Sequence, residues 1–323
     1  MANGCPYMVI TETDLVPMKV VARRVLTPDI SEFTLARADG SELPSYGPGA
    51  HITVRTPSGA MRRYSLVGGR PAVYTIAVKR ERESRGGSAS MHDDVQIGSE
   101  LFVAPPENEF ELMPAPGYLL IAGGIGVTPI YSMARHLKEQ QRADFRVIYL
   151  SRSAGEAAYL DQMRQEFGDH LLVHHDQGDP ALIYDFWKEF EKPKSTHVYC
   201  CGPKPLIEEI KAISGHWPEG RIYFEDFKPI EIVRADDIPF DVELAHAGMM
   251  VHVPRDRSIL EAVREAGVRT VSSCESGTCG SCKTRLIAGE VDHRDMVLRD
   301  DEKRDQIMIC VSRAKRGNLI LDL

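Results

Sequence analysis

The chain has 323 residues, with fractions of hydrophobic (43%) and charged (27%) residues that are ordinary for a globular protein, and this length predicts two or three domains. Its formal net charge of −8 disfavours nucleic acid as a partner, and no stretch approaches the roughly 20 apolar residues that span a bilayer, so we expect a soluble protein that enters no membrane. Residues 1–6 show neither a basic nor an apolar export segment, which makes the cytoplasm the expected location.

The first part of the chain, to about residue 110, predicts short strands separated by turn residues. These strands are expected at 18–26, 51–55, 62–66 and 74–79. Several short strands at such spacing are typical of a small antiparallel β-barrel.

The pattern changes near residue 114, where apolar runs begin to alternate with helical segments. The runs lie at 118–122, 145–151, 171–175, 197–201 and 222–224. Strands that alternate with helices indicate βαβ units around a parallel sheet.

The helix after the first of these runs has a predicted start and a predicted buried face. Thr128 is expected to be its N-cap, with Pro129 at the first helical position. Ile130, Met133 and Leu137 then recur at helical spacing, so this face should pack on the sheet.

A charged, proline-containing stretch at 228–239 predicts a linker to a last domain. Beyond it, two short strands predict a hairpin, and Ser258 with Glu261 predicts a capping box that starts a helix. We therefore expect a multidomain protein. Its predicted domains are an antiparallel β-barrel (1–113), an α/β parallel-sheet domain (114–228) and an α+β domain (229–323).

Four of the seven cysteines stand in a metal-binding pattern near the end of the chain. Cys274, Cys279 and Cys282 follow C-x4-C-x2-C spacing, and Cys310 comes 28 positions later. This is the spacing of plant-type [2Fe–2S] ligands. A four-cysteine zinc site is the alternative, but it more often shows two C-x2-C pairs. The spacing favours the iron–sulfur cluster.

A glycine-rich turn joins the first strand of the middle domain to its helix. Gly124, Gly126 and Thr128 lie in it, and backbone amides at such a turn can bind a diphosphate. The turn does not match the G-x-G-x-x-G fingerprint, and tight packing is an alternative reason for its glycines. A second turn of this kind, 201–203, follows another strand, which favours a nucleotide site because ligands of such sheets bind at the carboxyl ends of strands.

Basic residues of the barrel give a weaker indication of a bound anion. Arg62, Tyr64 and Ser65 share a predicted strand, and Gly86 and Gly87 open a predicted short helix. A guanidinium beside an aromatic ring suits a planar ligand that carries a phosphate. A solvated basic strand with a flexible glycine turn remains an equal alternative on the residues alone.

Together these motifs resemble those of the phthalate dioxygenase reductase family, the single-chain reductase components of bacterial oxygenases. The shared elements are R-x-Y-S-L (62–66), R-G-G-S (85–88), G-G-x-G-x-T-P (123–129), C-G-P (201–203) and the cysteine loop (274–282). The likeness covers essentially the whole chain and is closest at 273–284 and 292–303. It implies the fold of ferredoxin–NADP reductases for the first two domains and a β-grasp ferredoxin fold for the last.

The resemblance implies FMN as the flavin and particular residues around each cofactor. Those it places at the flavin and its phosphate are Arg62, Tyr64, Ser65, Val78, Lys79, Arg80, Gly86, Gly87 and Ser88. Those it places at the pyridine nucleotide are Gly124, Gly126, Thr128, Cys201, Gly202 and Pro203. Phe224 and Glu225 are implied to lie near the flavin ring, and Asp226 departs from the small hydroxyl residue expected at its position.

The three cofactor motifs predict electron transfer from NADH through FMN and the [2Fe–2S] cluster to a separate Rieske-type oxygenase, most simply phthalate dioxygenase. No side chain needs to act as an acid, base or nucleophile. NADH is expected over NADPH because the resemblance implies it and because Arg152 is the one basic residue that follows the strand at 145–151. We expect a monomer, and the charged residues 292–295 are either a docking patch or a solvated loop.

Three alternatives remain open from the sequence. The acceptor could be another mononuclear-iron oxygenase, one that acts on a different aromatic acid or on a quaternary amine. A redox-sensing iron–sulfur flavoprotein is a second possibility, although no DNA-binding element is evident. The third is a binding module stabilised by a metal and devoid of flavin.

Overall fold

The computed structural model describes most of the chain as two compact units, one formed by residues 16–227 and the other by residues from 236 onward. The described residues are 15–68, 72–81, 86–227, 236–272, 277, 280–295 and 297–323. No helix within these ranges is long and apolar enough to cross a membrane. The predicted boundaries at 113/114 and 228/229 stay predictions.

The first unit begins with the predicted barrel, which is confirmed as a closed, six-stranded, antiparallel one. Its strands are β1 (Val16–Thr27), β2 (Ile30–Arg37), β3 (His51–Arg55), β4 (Met61–Gly68), β5 (Tyr74–Lys79) and β6 (Glu100–Val103), in the order β1-β2-β5-β4-β3-β6. A short helix, α1 (Gly87–Asp93), follows β5. Alternate residues such as Phe33, Ile52 and Leu66 point inward and are fully buried, so the barrel has an apolar core.

The same unit continues with the predicted parallel sheet. Its strands are β7 (Tyr118–Gly123), β8 (Phe145–Ser151), β9 (Leu171–His175), β10 (His197–Cys201) and β11 (Ile222–Glu225), in the order β11-β10-β7-β8-β9. The helices are α2 (Val127–Glu139), α3 (Leu160–Phe167), α4 (Trp187–Phe190) and α5 (Lys204–Ile213). Val67 of the barrel shares one buried cluster with Val127 and Ile130 of α2, so barrel and sheet are packed together.

The predicted start of α2 is wrong. A single 3₁₀ turn, Gly124–Gly126, leads into the helix, and Gly126 holds the N-cap position. Thr128 is the second helical residue, is buried, and donates a hydrogen bond from its hydroxyl to the carbonyl of Ile125 (3.0 Å). The 3₁₀ turn supplies local bonds that a capping side chain would otherwise make.

The second unit is a mixed five-stranded sheet with one helix, as the α+β prediction requires. Its elements are β12 (Phe240–Leu244), β13 (Met249–Val253), α6 (Ile259–Glu265), β14 (Lys283–Asp292), β15 (Gln306–Met308) and β16 (Arg313–Leu321), with strand order β13-β12-β16-β14-β15. β12 and β16 run parallel, whereas the other pairs are antiparallel. The predicted capping box of Ser258 and Glu261 is confirmed at the start of α6.

Candidate functional site

Strand β4 carries buried hydroxyls that no described residue satisfies. The hydroxyl oxygens of Tyr64 and Ser65 are buried and make no hydrogen bond within the described part of the chain. Across the ladder on β3, Thr53 Oγ1 is in the same condition. Burial raises the pKa of Tyr64, so its phenol keeps its proton. Because a buried hydroxyl without a partner is costly, these groups fit a polar ligand held along β4.

The guanidinium of Arg62 lies against the start of α1. A Cβ atom on Gly87 would come within 2.9 Å of Arg62 Nε, so a side chain at this position would push the guanidinium away. Gly86, the N-cap of α1, has φ of 91°, in the left-handed region that favours glycine. The Ser88 hydroxyl is close by and accepts a hydrogen bond from the backbone N–H of Glu81 (3.1 Å). A cation beside exposed helix-start amides suits a phosphate.

Three neighbouring predicted residues instead make contacts within the protein. The side chain of Val78 is in the barrel core, and its carbonyl oxygen lies 2.9 Å from His92 Nε2. Lys79 Nζ lies 4.0 Å from a carboxylate oxygen of Asp29. Arg80 makes a two-pronged ion pair with Asp93 of α1. Their flavin roles therefore stay predictions.

The two turns at the carboxyl ends of β7 and β10 pack directly on each other. A Cβ on Gly126 would lie 2.2 Å from the carbonyl oxygen of Cys201, and one on Gly123 would lie 2.7 Å from Pro203 Cδ. These glycines are therefore required by packing, the alternative reason considered above. Gly124 differs, because its φ is 54° and no described atom lies within 4 Å of its Cβ position. Its open backbone is the part of the turn free to meet a ligand.

A thiol and a carboxyl group meet at the ends of β10 and β11. Cys201 and Glu225 are register partners, and the Cys201 thiol donates to Glu225 Oε2 at 3.9 Å. Burial, together with the nearby Glu109, raises the pKa of Glu225 to about 8, against the opposing effects of Arg63 of β4 and of the hydrogen bond from Cys201. Burial and the same carboxylate raise the pKa of Cys201 well above its ordinary value. Both groups therefore hold protons at neutral pH.

Arg63 is a functional candidate that the resemblance did not place at any cofactor. It makes a two-pronged ion pair with Glu109 (2.6 and 3.1 Å) and lies 3.8 Å from Glu107. The ion pair places a fixed charge on β4 near Glu225. The adjacent R-R pair was the only sequence signal, and it does not say which arginine faces the carboxyl group.

The side chains of Phe224 and Glu225, which were predicted together, lie on opposite faces of the sheet. Adjacent residues of a strand face opposite sides of a sheet, and Phe224 packs in the cluster that contains Cys200 rather than Cys201. Lys211 Nζ covers the Phe224 ring at 5.2 Å. Asp226, the departure noted in the sequence, lies close enough to help raise the pKa of Cys201.

A cavity of about 800 Å³ opens at the carboxyl ends of β8 and β9, and β8 is the neighbour of β7 in the sheet. It is lined by Arg152, Ser153, Ala154, Glu156, His175, Gln177 and Gly178. His175 Nδ1 lies 2.8 Å from Ser151 Oγ, and its buried Nε2 has no hydrogen-bond partner in the described part of the chain. Of the lining residues only Arg152 was noted in the sequence, since the others follow no motif.

The structure describes two of the four predicted cluster ligands. Cys282 and Cys310 are both buried in the same apolar cluster of the second unit and form no disulfide. Cys310 lies in the turn between β15 and β16, next to Ile309, whose carbonyl accepts a hydrogen bond from the N–H of Leu260 (3.0 Å). Cys274 and Cys279 fall outside the described residues. Two buried thiols in one cluster fit a thiolate-bound group.

The side chains of residues 292–295 are mostly buried, so the expected solvated loop was wrong, and the docking patch stays a prediction. The side chain of Arg294 is 4% exposed and makes a two-pronged ion pair with Asp237 (2.9 and 2.5 Å). Its Nε also donates to Asp292 (2.7 Å). The side chain of Asp295 is fully buried. Arg294 and Asp295 are therefore internal, whereas the Asp292 side chain is paired with Arg294 and 31% exposed.

Fold and site together define a multidomain oxidoreductase that links a pyridine nucleotide to an iron–sulfur cluster. Residues 120–212 match the model of the oxidoreductase NAD-binding domain, and residues 242–315 match that of the 2Fe-2S iron-sulfur cluster binding domain. The chain belongs to the phthalate dioxygenase reductase family, as the resemblance implied.

Two relatives and one solved structure show this membership. The phthalate 4,5-dioxygenase oxygenase reductase subunit of Pseudomonas putida is 50% identical over 95% of this chain and 96% of its own length. Phthalate dioxygenase reductase of Burkholderia cepacia is 46% identical over 97% of this chain and 98% of its own. A solved phthalate dioxygenase reductase, described as a modular structure for electron transfer from pyridine nucleotides to [2Fe-2S], matches with a TM-score of 0.84 and 45% identity, over 97% and 99% of the two chains.

The chain is therefore the reductase component of an oxygenase system. It takes electrons from NADH and passes them through FMN and a [2Fe–2S] cluster to an oxygenase partner.

Proposed function

We propose that the oxygenase partner is of the Rieske type and acts on an aromatic acid, with phthalate as the first candidate. The names of the two relatives reported above support this choice. The observation that carries the electron-transfer part of the proposal is the buried Cys201–Glu225 pair, which Arg63 of β4, the strand with the unsatisfied hydroxyls, is close enough to affect. It joins the sheet and the barrel at one polar site inside one packed unit.

We assign the flavin to β4 and α1. The hydroxyls of Tyr64 and Ser65 would form hydrogen bonds with its ring. Arg62 and the amides of Gly87 and Ser88 would bind its phosphate. Gly86 would shape the turn before them, whereas Val78, Lys79 and Arg80 would act through backbone and charge. When bound, FMN supplies the change from a two-electron donor to one-electron transfer.

We assign the nicotinamide end of NADH to the two turns, with Gly124, Gly126, Thr128, Gly202 and Pro203 forming the surface beside it. Cys201 and Glu225 would hold protons at this surface, while Phe224 would support the strand from its opposite face. Burial and Glu109 raise the pKa of Glu225, and Arg63 partly offsets them because its guanidinium stabilises the carboxylate form.

We assign the adenosine end to the cavity beside β8 and β9. The Ser151 hydroxyl donates to the carbonyl of Ser153 (3.2 Å), so it accepts its other bond from His175 Nδ1–H. The Nε2 of His175, which then carries no proton, can accept a hydrogen bond from a ribose hydroxyl. Glu156 in the same lining would repel the additional phosphate of NADPH, which agrees with the use of NADH.

The cluster would be held by Cys274, Cys279, Cys282 and Cys310, the plant-type ligand set. Gly277 and Gly280 both have positive φ (73° and 78°), the conformation expected of a loop that turns its amides toward sulfur. The protein would act as a monomer, because all three cofactor regions lie on one chain.

Turnover of NADH against a panel of purified oxygenase components tests the partner. The panel should include phthalate dioxygenase, an oxygenase for another aromatic acid and one for a quaternary amine. We expect the fastest product formation with phthalate dioxygenase. Faster turnover with another member would reassign the partner, and a Cys274→Ser variant that still supports product formation would refute the cluster as the exit.

A further inference from the structure

One buried carboxylate of the second unit has no function in the scheme above. Asp295 lies in the segment between β14 and β15, and its side chain is completely buried. Its Oδ2 accepts hydrogen bonds from the backbone N–H groups of Val297 (3.2 Å) and Leu298 (2.8 Å). The carboxylate therefore holds a local turn through the amides of Val297 and Leu298.

This turn touches both elements that carry predicted cluster ligands. Val297 Cγ1 lies 3.4 Å from the Cβ position of Gly280, a residue between Cys279 and Cys282 in the cysteine loop. On the other side, the Ser312 hydroxyl, two residues after Cys310, donates to Asp295 Oδ1 at 3.5 Å. The same hydroxyl accepts a hydrogen bond from the N–H of Arg294 (3.3 Å).

No arginine or lysine among the described residues pairs with Asp295. Arg294, its neighbour in sequence, directs its guanidinium to Asp237 and Asp292. The nearest basic group is His293, whose Nδ1 lies 3.6 Å from Asp295 Oδ1 while its Nε2 bonds the carbonyl of Lys303 (3.0 Å). The negative charge of Asp295 is thus held by neutral donors and one imidazole in a region shielded from water.

We propose that Asp295 is a positioning residue that also sets the reduction potential of the cluster. Reduction adds one electron to a cluster that four thiolates already make negative, so a nearby buried negative charge opposes it. Asp295 therefore keeps the cluster a stronger reductant toward the oxygenase. The inference rests on the proposal that the four cysteines hold a [2Fe–2S] cluster.

An Asp295→Asn variant of the full-length, cofactor-loaded chain tests the charge. Asparagine keeps an oxygen for the two backbone donors and removes the charge. Asp300→Asn is the matched control, because it makes the same change at a fully exposed side chain nearby. In a redox titration followed by electron paramagnetic resonance, we expect a more positive cluster potential in Asp295→Asn and no shift in Asp300→Asn. Equal potentials in both variants would overturn the proposal.

Two further measurements keep the outcomes distinct. Wild-type protein that lacks iron, labile sulfide and the resonance of a reduced [2Fe–2S] cluster would refute the cluster proposal itself, independently of Asp295. If Asp295→Asn fails to retain the cluster, the titration is repeated with Asp295→Ser, whose hydroxyl can still accept a hydrogen bond from the turn amides. Cluster loss in both variants, with the fold kept by circular dichroism, would show that Asp295 acts through geometry alone and would refute the proposed effect of its charge on the cluster potential.

Discussion

The carboxyl group of Glu225 should make the stability of the first unit depend on pH. Its pKa is about 8 in the folded protein, against an ordinary value of 4.5. The folded state therefore holds a proton that the unfolded chain releases, so stability is highest at low pH and falls as pH rises toward 8. At about 1.4 kcal/mol per pH unit, the total loss is about 5 kcal/mol, and roughly half of it occurs between about pH 6 and pH 9.

The assay is urea unfolding followed by tryptophan fluorescence at a series of pH values. Both tryptophans, Trp187 and Trp217, belong to the first unit, so the signal reports that unit alone. A Glu225→Gln variant cannot ionise, and its stability should fall by about 2 to 3 kcal/mol less than that of wild type over this range. The matched control is Glu156→Gln, which removes an exposed carboxylate and should follow wild type. Parallel pH curves for wild type and Glu225→Gln would refute the reasoning.

Four other substitutions have definite expected outcomes. Arg62→Gln and Gly87→Ala should each weaken FMN binding, measured by flavin fluorescence, by about 10- to 100-fold, because a charge-assisted contact is removed or displaced. Cys282→Ser should abolish the cluster absorbance and leave NADH-dependent flavin reduction intact in stopped-flow experiments. Asp237→Ala should destabilise the second unit by about 3 to 5 kcal/mol, seen as loss of cluster absorbance at lower urea, because Arg294 loses a buried partner.

The elements that the sequence predicted well are those that depend on local patterns. Strands β3 and β5 begin and end at the predicted residues, and the capping box of Ser258 and Glu261 is present. Strand β2 was missed because partly buried polar residues interrupt its apolar pattern. The start of α2 was misplaced because a 3₁₀ turn, which depends on how the glycines pack, precedes the helix.

The candidate site was predictable only where a motif marked it. The sequence pointed to Tyr64, Ser65 and Cys201, and the structure gives each a buried polar atom. It did not point to Arg63, His175 or the cavity beside β9, because these features arise from strands that are brought together by the sheet order. The sequence also could not decide whether the glycine turn serves ligand binding or tight packing. The structure shows that packing explains Gly126 and not Gly124.

The segment 292–295 shows why a run of charges can mislead. Charged residues are usually exposed, yet Arg294 and Asp292 are neutralised together with Asp237, which lies more than 50 positions earlier in the chain. Arg313 is the fourth member of this charge cluster. Its Nε lies 3.6 Å from Asp237, and its guanidinium donates hydrogen bonds to the carbonyls of Ile238 and Pro254. Two arginines thus balance two aspartates inside the unit. Asp295 remains outside this balance, and that is why its charge, rather than those of its neighbours, is the one expected to act on the cluster.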